Sequence, residues 1–293
     1  PPLYKSDWRF TINPRMRIVI FTSSHHLLAN YIVKQLFKVK DVEVVGIVES
    51  DVIYPGKGKW QALFFMIKKS GIRYVSSQVA KFLFFQFGGF LYDLLPAKRA
   101  DHLLYSYLHS AKKQHVPVFL EKNINTPQFY ERIKRTKPDL FVSVFFNQIF
   151  RHDVLAIPKK GTINLHPALL PSYRGLSPTF WVLANGETKT GITVHRVDDE
   201  AIDAGKILGQ VVVPITTNDT EYSLYWRCVH KGLPMFISVI KGIARNRRIW
   251  PMARKNISPT YFTLPIKSDV ARFKARGRGF LTLGQLLFSA KPK

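Results

Sequence analysis

Asn164 and His166 stand two residues apart in GTINLHPALLPSYRG, residues 161–175. Led in by β-branched Thr162 and Ile163, they read as a strand end, where residues two apart point to the same face. An amide and an imidazole side by side suit carbonyl chemistry. The amide donates to a developing oxyanion, and the imidazole donates or shuttles a proton. Pro167 and Pro171 then turn the chain towards Arg174-Gly175. By residue type alone, an ordinary polar strand end with a capping Asn and a packed His is the simpler reading, so the surrounding elements have to decide.

Those elements are of α/β type. RIVIF (17–21) is a short apolar run that reads as a buried strand, followed by Thr22-Ser23-Ser24, a set suited to a helix cap. Residues 25–38 carry apolar side chains at helical spacing, and VEVVGIV (42–48) is a second strand. Near-continuous apolar strands in a β-α-β opening predict a Rossmann-like, mostly parallel sheet with helices on both faces. The turn after Phe21 reads TSSHH, without a glycine, so a dinucleotide fingerprint is missing there. A phosphate can still meet backbone N–H groups at that helix start, near Ser23 and Ser24. His25 and His26 read as solvated cap residues, and no metal site is expected.

Further on, LFVSVFF (140–146) is a buried strand with Asn147-Gln148-Ile149-Phe150 at its carboxyl end, the edge where open α/β sheets bind ligands. GITVHRV (191–197) alternates as a strand, DDEAIDAG (198–205) is an acidic turn, and ILGQVVVPI (207–215) is another strand. Asp219 is placed to cap a helix running to about Arg245. Residues 1–15 read as an N-terminal extension, 16–215 as the catalytic domain with an insertion over about 55–115, and 216–293 as a C-terminal helix and basic tail. The insertion is helical and Phe-rich, with WQALFFMIKK (60–69) and VAKFLFFQFGGFLYDLL (79–95) set among Lys57, Lys59, Lys68, Lys69, Arg73 and Lys81. A buried helical pair or a homodimer interface is the simpler reading of it. The other is a peripheral contact of residues 56–95 with an anionic membrane.

Composition narrows the partners. The 293 residues carry 44 Lys+Arg against 19 Asp+Glu, a formal net charge of +25, which predicts an acidic partner: nucleic acid, anionic lipid or a phosphorylated substrate. The single cysteine, Cys228, excludes an internal disulfide and fits a reducing, cytoplasmic setting, peripheral at the membrane if the insertion docks there. The N-terminal residues lack a signal peptide's apolar stretch, and no run is long and apolar enough to span a bilayer.

Taken together, Asn164-x-His166, LLPxxRG at 169–175, Asn185-Gly186, Thr190-Gly191 and Ile202-Asp203-Ala204-Gly205 with Ile207-Leu208 resemble the formyltransferases that use 10-formyltetrahydrofolate. The similarity is continuous from about Pro138 to Ile215 and looser from Met16 to Val48. The resemblance implies that Asn164, His166 and Asp203 are the catalytic residues. It implies a pterin pocket formed by Phe146, Asn147, Gln148 and Phe150 with Glu200, Ala201 and Ile202. Ser23 and Ser24 at the helix start, and Arg174 with Gly175 at the edge of the cleft, are the expected substrate-binding residues, Arg174 meeting a phosphate or carboxylate or else forming a structural salt bridge. In that chemistry Asn164 and His166 stabilise the oxyanion and Asp203 takes the proton that the attacking amine must lose. Gly205 is expected to let the backbone approach the ligand.

The acceptor expected is a small anionic amine: a phosphorylated, nucleotide- or lipid-linked amino sugar. Methionyl-tRNA is the alternative that the charge supports and the short tail after about residue 250 opposes. Hydrolysis of the formyl donor needs only the same three residues, and a non-catalytic binding protein has no need of all three.

Overall fold

The computed structural model describes residues 15–23, 26–50, 52, 54, 56–93, 106–252, 257–282 and 284–285. Ser24 and His25, most of the N-terminal extension, residues 94–105 of the insertion and residues 286–293 of the tail lie outside the described residues.

The apolar runs form the expected strands. In chain order the elements are β1 (Met16–Ser23), α1 (Leu27–Leu36), β2 (Val42–Ser50), α2 (Lys59–Ser70), α3 (Ile72–Asp93), α4 (Tyr107–Lys113), β3 (Val118–Glu121), α5 (Pro127–Lys134), β4 (Leu140–Val144), α6 (His152–Leu155), β5 (Thr162–His166), β6 (Arg174–Gly175), α7 (Pro178–Asn185), β7 (Lys189–Val197), β8 (Ile207–Pro214), α8 (Glu221–Ala244), β9 (Tyr261–Phe262) and α9 (Lys267–Ala275). Seven strands make one sheet in the order β3-β2-β1-β4-β5-β7-β8. The first five run parallel; β7 pairs antiparallel with β5, and β8 antiparallel with β7. Alternate residues of β1 enter opposite cores: Ile18 and Ile20 pack with α1, α7 and α8, and Val19 and Phe21 with α5 and Phe150. A sheet covered on both faces has no polar side to spare, which is why its strands read as unbroken apolar runs.

Several local expectations shift. β1 runs through Ser23, and α1 is capped by His26, whose Nδ1 accepts from Ala29 N at 3.3 Å. His26 is half-buried against Phe145 and Tyr225 rather than solvated. Thr220, not Asp219, caps α8, while Asp219 accepts from Thr216 N and pairs with Arg227. The Phe-rich α3 continues through Gly88 and Gly89, and α2 and α3 are not a buried helical pair: Trp60 and Phe64 of α2 and Phe87 of α3 stand 75%, 68% and 65% exposed.

The tail closes back on the loop after β5. β9 pairs with β6, Arg174 facing Tyr261 and Gly175 facing Phe262. Gly175 has φ 92°, and a Cβ there would stand 2.2 Å from Phe262 O, so only glycine fits. Tyr173 stacks on Phe262 at 5.1 Å, and Trp181 Nε1 donates to Thr263 O.

Candidate active site

β5 carries Asn164 and His166 on one face, as their spacing requires, with His166 buried. Its antiparallel partner β7 sets His195 directly across from Asn164 and Thr193 across from His166. The turn after β7 then returns Asp203 to the same point, with Asp203 at φ 51°. Gly205 makes that return possible. A Cβ there would meet Arg196 O at 1.8 Å, so the glycine is needed for close approach of β7 backbone, not of a ligand.

Four groups converge on the Asp203 carboxylate, whose side chain is 10% exposed. Gly175 N–H donates to Oδ2 at 2.9 Å and Asn164 Nδ2 to Oδ1 at 3.3 Å. His166 Nδ1 and His195 Nε2 each stand 3.4 Å from a carboxylate oxygen. Burial pushes the Asp203 carboxyl up, but the charges and hydrogen bonds of His166, His195 and Gly175 together outweigh it and hold the pKa well below the usual carboxylate range.

The imidazole protons follow from the carbonyls beside them. His166 Nε2 lies 2.8 Å from Tyr173 O, and His195 Nδ1 lies 2.8 Å from Arg196 O. A carbonyl only accepts, so each of these nitrogens carries its hydrogen. His195 Nε2 can then accept from Asn164 Nδ2, 3.1 Å away. Both unprotonated nitrogens face a carboxylate oxygen at 3.4 Å, but His195 Nε2 has the Asn164 amide as a donor, whereas the His166 Nδ1 lone pair has only Asp203 before it. That contact is attractive only when the His166–Asp203 pair holds one further proton. Burial lowers the His166 pKa, more than the Asp203 carboxylate and the Tyr173 carbonyl raise it. An imidazole in contact with a carboxylate is nonetheless a pairing that general acid–base chemistry uses.

The other sequence-derived residues fall in three places. Ser23 Oγ donates to Phe145 O at 2.6 Å, tying the ends of β1 and β4. Gln148 bridges strand ends: its Oε1 accepts from Ile124 N, and its Nε2 donates to Ser50 Oγ and Glu121 O. Phe150 is buried beside Phe21, with ring centroids 4.9 Å apart, and Phe146 packs against both. Asn147 donates through Nδ2 to Val52 O, while its buried Oδ1 has no hydrogen-bond partner. Glu200 and Ala201 are exposed, as is Ile202 at 39%. Arg174 precedes Gly175 in β6, where its N–H donates to Thr260 O. Among the described residues no group of three His, Cys, Asp or Glu is arranged to hold a metal. Two surface depressions, of about 520 and 700 Å3, share Lys38, Val39 and Lys40 and lie by the amino ends of β1 and β2, across the sheet from Asp203.

His195 is the member of the cluster that the sequence did not single out. The signal was the alternation of GITVHRV, which places His195 on one face of its strand, but its pairing with Asn164 spans 31 positions.

Residues 97–240, which contain Asn164, His166, His195 and Asp203, match the family described as formyl transferase. This chain carries a formyl transferase domain. Over 135 residues it is 41% identical to the bifunctional polymyxin resistance protein ArnA of Wigglesworthia glossinidia brevipalpis, a match covering 46% of this chain and 20% of that protein. The chain thus spans about a fifth of the length of that relative. Two solved structures share the fold of the domain. Glycinamide ribonucleotide transformylase 1 from Symbiobacterium toebii superposes with a TM-score of 0.54 at 18% identity, over 80% of this chain and 89% of its own. An N-formyltransferase from Helicobacter canadensis, solved with folinic acid and dTDP-3-aminofucose, gives 0.54 at 21% identity, over 92% and 81%. The formyl transferase domain accordingly has the Rossmann-like sheet expected of it, with its convergent carboxylate at the carboxyl end of β5.

Proposed function

We propose that this chain transfers a formyl group from 10-formyltetrahydrofolate to the primary amine of a small anionic acceptor, a phosphorylated, nucleotide- or lipid-linked amino sugar. The observation that carries the reading is the meeting of Asn164 and His166 at the buried Asp203 carboxylate within residues that match a formyl transferase domain. The formyl donor supplies an acyl carbon on a nitrogen leaving group. Phe146, Asn147 and the turn 200–202 would hold its pterin. The unpartnered Asn147 Oδ1 fits a heterocycle that presents N–H donors.

The chain's own residues then divide the work. Asn164 Nδ2 gives an oxyanion a donor in place of His195 or Asp203, which removal of one such donor in comparable sites values at about 10²–10³ in kcat. The bond from carbon to the acceptor nitrogen forms first, giving the tetrahedral oxyanion, which collapses as the bond to the folate nitrogen breaks. The attacking amine must lose one proton, and the folate nitrogen must gain one. Asp203 accepts the first directly or through water, and His166 delivers the second, so the pair ends in its starting state. Tyr173 O and Arg196 O keep the two imidazoles oriented throughout.

The test is incubation with 10-formyltetrahydrofolate and a panel of nucleotide-linked amino sugars, following tetrahydrofolate release. Release that depends on the amine is expected, and Asn164→Ala or His166→Ala should cut it at least a hundredfold. Release without any amine would mean hydrolysis, and no release from any acceptor sinks the proposal. The net charge of +25 favours a second acceptor, methionyl-tRNA. Undetectable or salt-insensitive tRNA binding removes it. The lipid-linked form of the amino sugar goes with a peripheral membrane contact through residues 56–95.

A further inference from the structure

Helix α3 is amphipathic in the wrong sense for a soluble surface. Residues 72, 76, 79, 83, 87 and 90 recur at spacings of three and four, so they share one face. Five of the six are Ile72, Val79, Leu83, Phe87 and Phe90, and their exposures run from 40% to 65%. At about 1.5 Å per residue the stripe is roughly 27 Å long. Gln78 and Lys81 sit on the opposite face, turned into the protein. Lys81 Nζ bonds Glu221 Oε2 of α8 at 2.8 Å, Gln78 Nε2 reaches the same oxygen at 3.4 Å, and Tyr74 and Val75 are buried beside them. The fold has thus fixed the helix by its polar side and left an apolar row facing out, a patch that ordinarily marks a partner site. On α2, Trp60 and Phe64, four residues apart, add two exposed rings.

Charge selects the partner. From residue 56 to residue 92 there are six Lys or Arg and no Asp or Glu, and Lys57, Lys68 and Arg73 are exposed around the rings. We propose that this face docks on an anionic lipid bilayer, with α3 lying in the plane of the surface and the basic side chains at the head groups. A second copy of the chain fits less well, because a twofold contact would set the same cations against themselves. No described helix is long and apolar enough to cross a membrane, so the contact is with one surface.

The docking face is also tied to the chemistry. Ser70 Oγ, at the end of α2, donates to Pro265 O at 2.5 Å, and the Tyr74 hydroxyl meets Ser177 Oγ at 3.2 Å. Ser177 stands two residues beyond Gly175, whose N–H holds Asp203. A bilayer on α3 would therefore lie beside the loop edging the acceptor cleft and favour an amine carried on a lipid. That last step rests on the proposed function; the docking does not.

Co-sedimentation of the full chain with phosphatidylcholine vesicles, with and without phosphatidylglycerol, tests the docking apart from any activity. Binding is expected to the phosphatidylglycerol vesicles and to weaken with salt. Leu83→Glu with Phe87→Glu should cut the bound fraction at least tenfold, as should Lys68→Glu with Arg73→Glu. Both pairs are exposed, and an unchanged circular dichroism melt will show that the fold survives. Failure of wild type to bind either vesicle, or equal binding by wild type and the Leu83/Phe87 variant, overturns the proposal. So does a wild-type dimer, seen by sedimentation velocity, that this variant makes monomeric while vesicles bind neither.

Discussion

Replacing Asp203 by Asn removes one charge and almost no volume, so it isolates what the carboxylate does. Asn tolerates the left-handed backbone at φ 51°, and the turn should keep its path. The hydrogen bonding cannot be kept. Asp203 accepts from Gly175 N–H through one oxygen and from Asn164 through the other. An amide offers one acceptor oxygen, so either Gly175 N–H or Asn164 Nδ2 is left facing an NH2 group. One orphaned buried donor costs about 1–3 kcal/mol, the expected loss in urea melts at pH 7. The pH course is a sharper criterion. The native Asp203 pKa is depressed, so its contribution is complete above the unfolded value of about 3.9 and is lost as pH falls through the lower native value. The gap between wild type and Asp203→Asn should therefore be constant from pH 7 to about 4.5 and shrink below about 4. Turnover should fall by about 10²–10⁴, the range of a lost general base. A gap that stays constant down to pH 3, or a variant as stable and as active as wild type, would refute this account of the cluster.

Other perturbations probe the frame around that cluster. Burial, and after it the charge of Lys81, push His26 down to about 4. Its unfolded form takes up a proton near pH 6.5, so stability should drop as pH falls from about 6.5 to 4 and level off below, by up to roughly 3 kcal/mol. His26→Asn keeps a capping side chain and should abolish that part of the acid sensitivity in melts at pH 7 and 4.5; an undiminished drop would exclude His26 as its source. Gly205→Ala forces a methyl against Arg196 O, and a loss of about 1–3 kcal/mol with a matching collapse of turnover is expected from thermal melts and initial rates. Cys228 is fully buried, with its thiol pushed up to about 12. It should resist a disulfide reagent in the native chain and react fully in guanidinium; fast native labelling would contradict that burial.

What could be read from the sequence, and what could not, divides along the range of the interactions. RIVIF, VEVVGIV and LFVSVFF announced central strands because a sheet packed on both faces writes its burial into consecutive residues. Asn164 and His166 were legible as a same-face pair, because strand geometry alone fixes that relation. His195 was not, since its place beside them depends on the β5–β7 register. Gly205 was noticed for the wrong reason, because the backbone that crowds it belongs to another strand. Composition identified the aromatics of α3 but could not orient them. Their outward face is set by Glu221, 140 positions beyond Lys81, taking the polar side inward.

The pairing of β6 with β9 sets a clock on the nascent chain. Gly175 can be clamped only when Phe262 is available, because the two strands pair through these residues. The sheet is complete in sequence once β8 ends at Pro214, and at synthesis rates of about 5–20 residues per second the stretch from there to Phe262 takes roughly 2–10 s to make. For that interval the formyl transferase sheet can be folded on the ribosome while the loop that fixes Asp203 and His166 lacks its second strand. The centre is finished after the sheet that houses it, so a fragment ending near residue 250 should keep the sheet's circular dichroism while lacking both the clamp on Gly175 and the core contacts of Phe273 and Phe280.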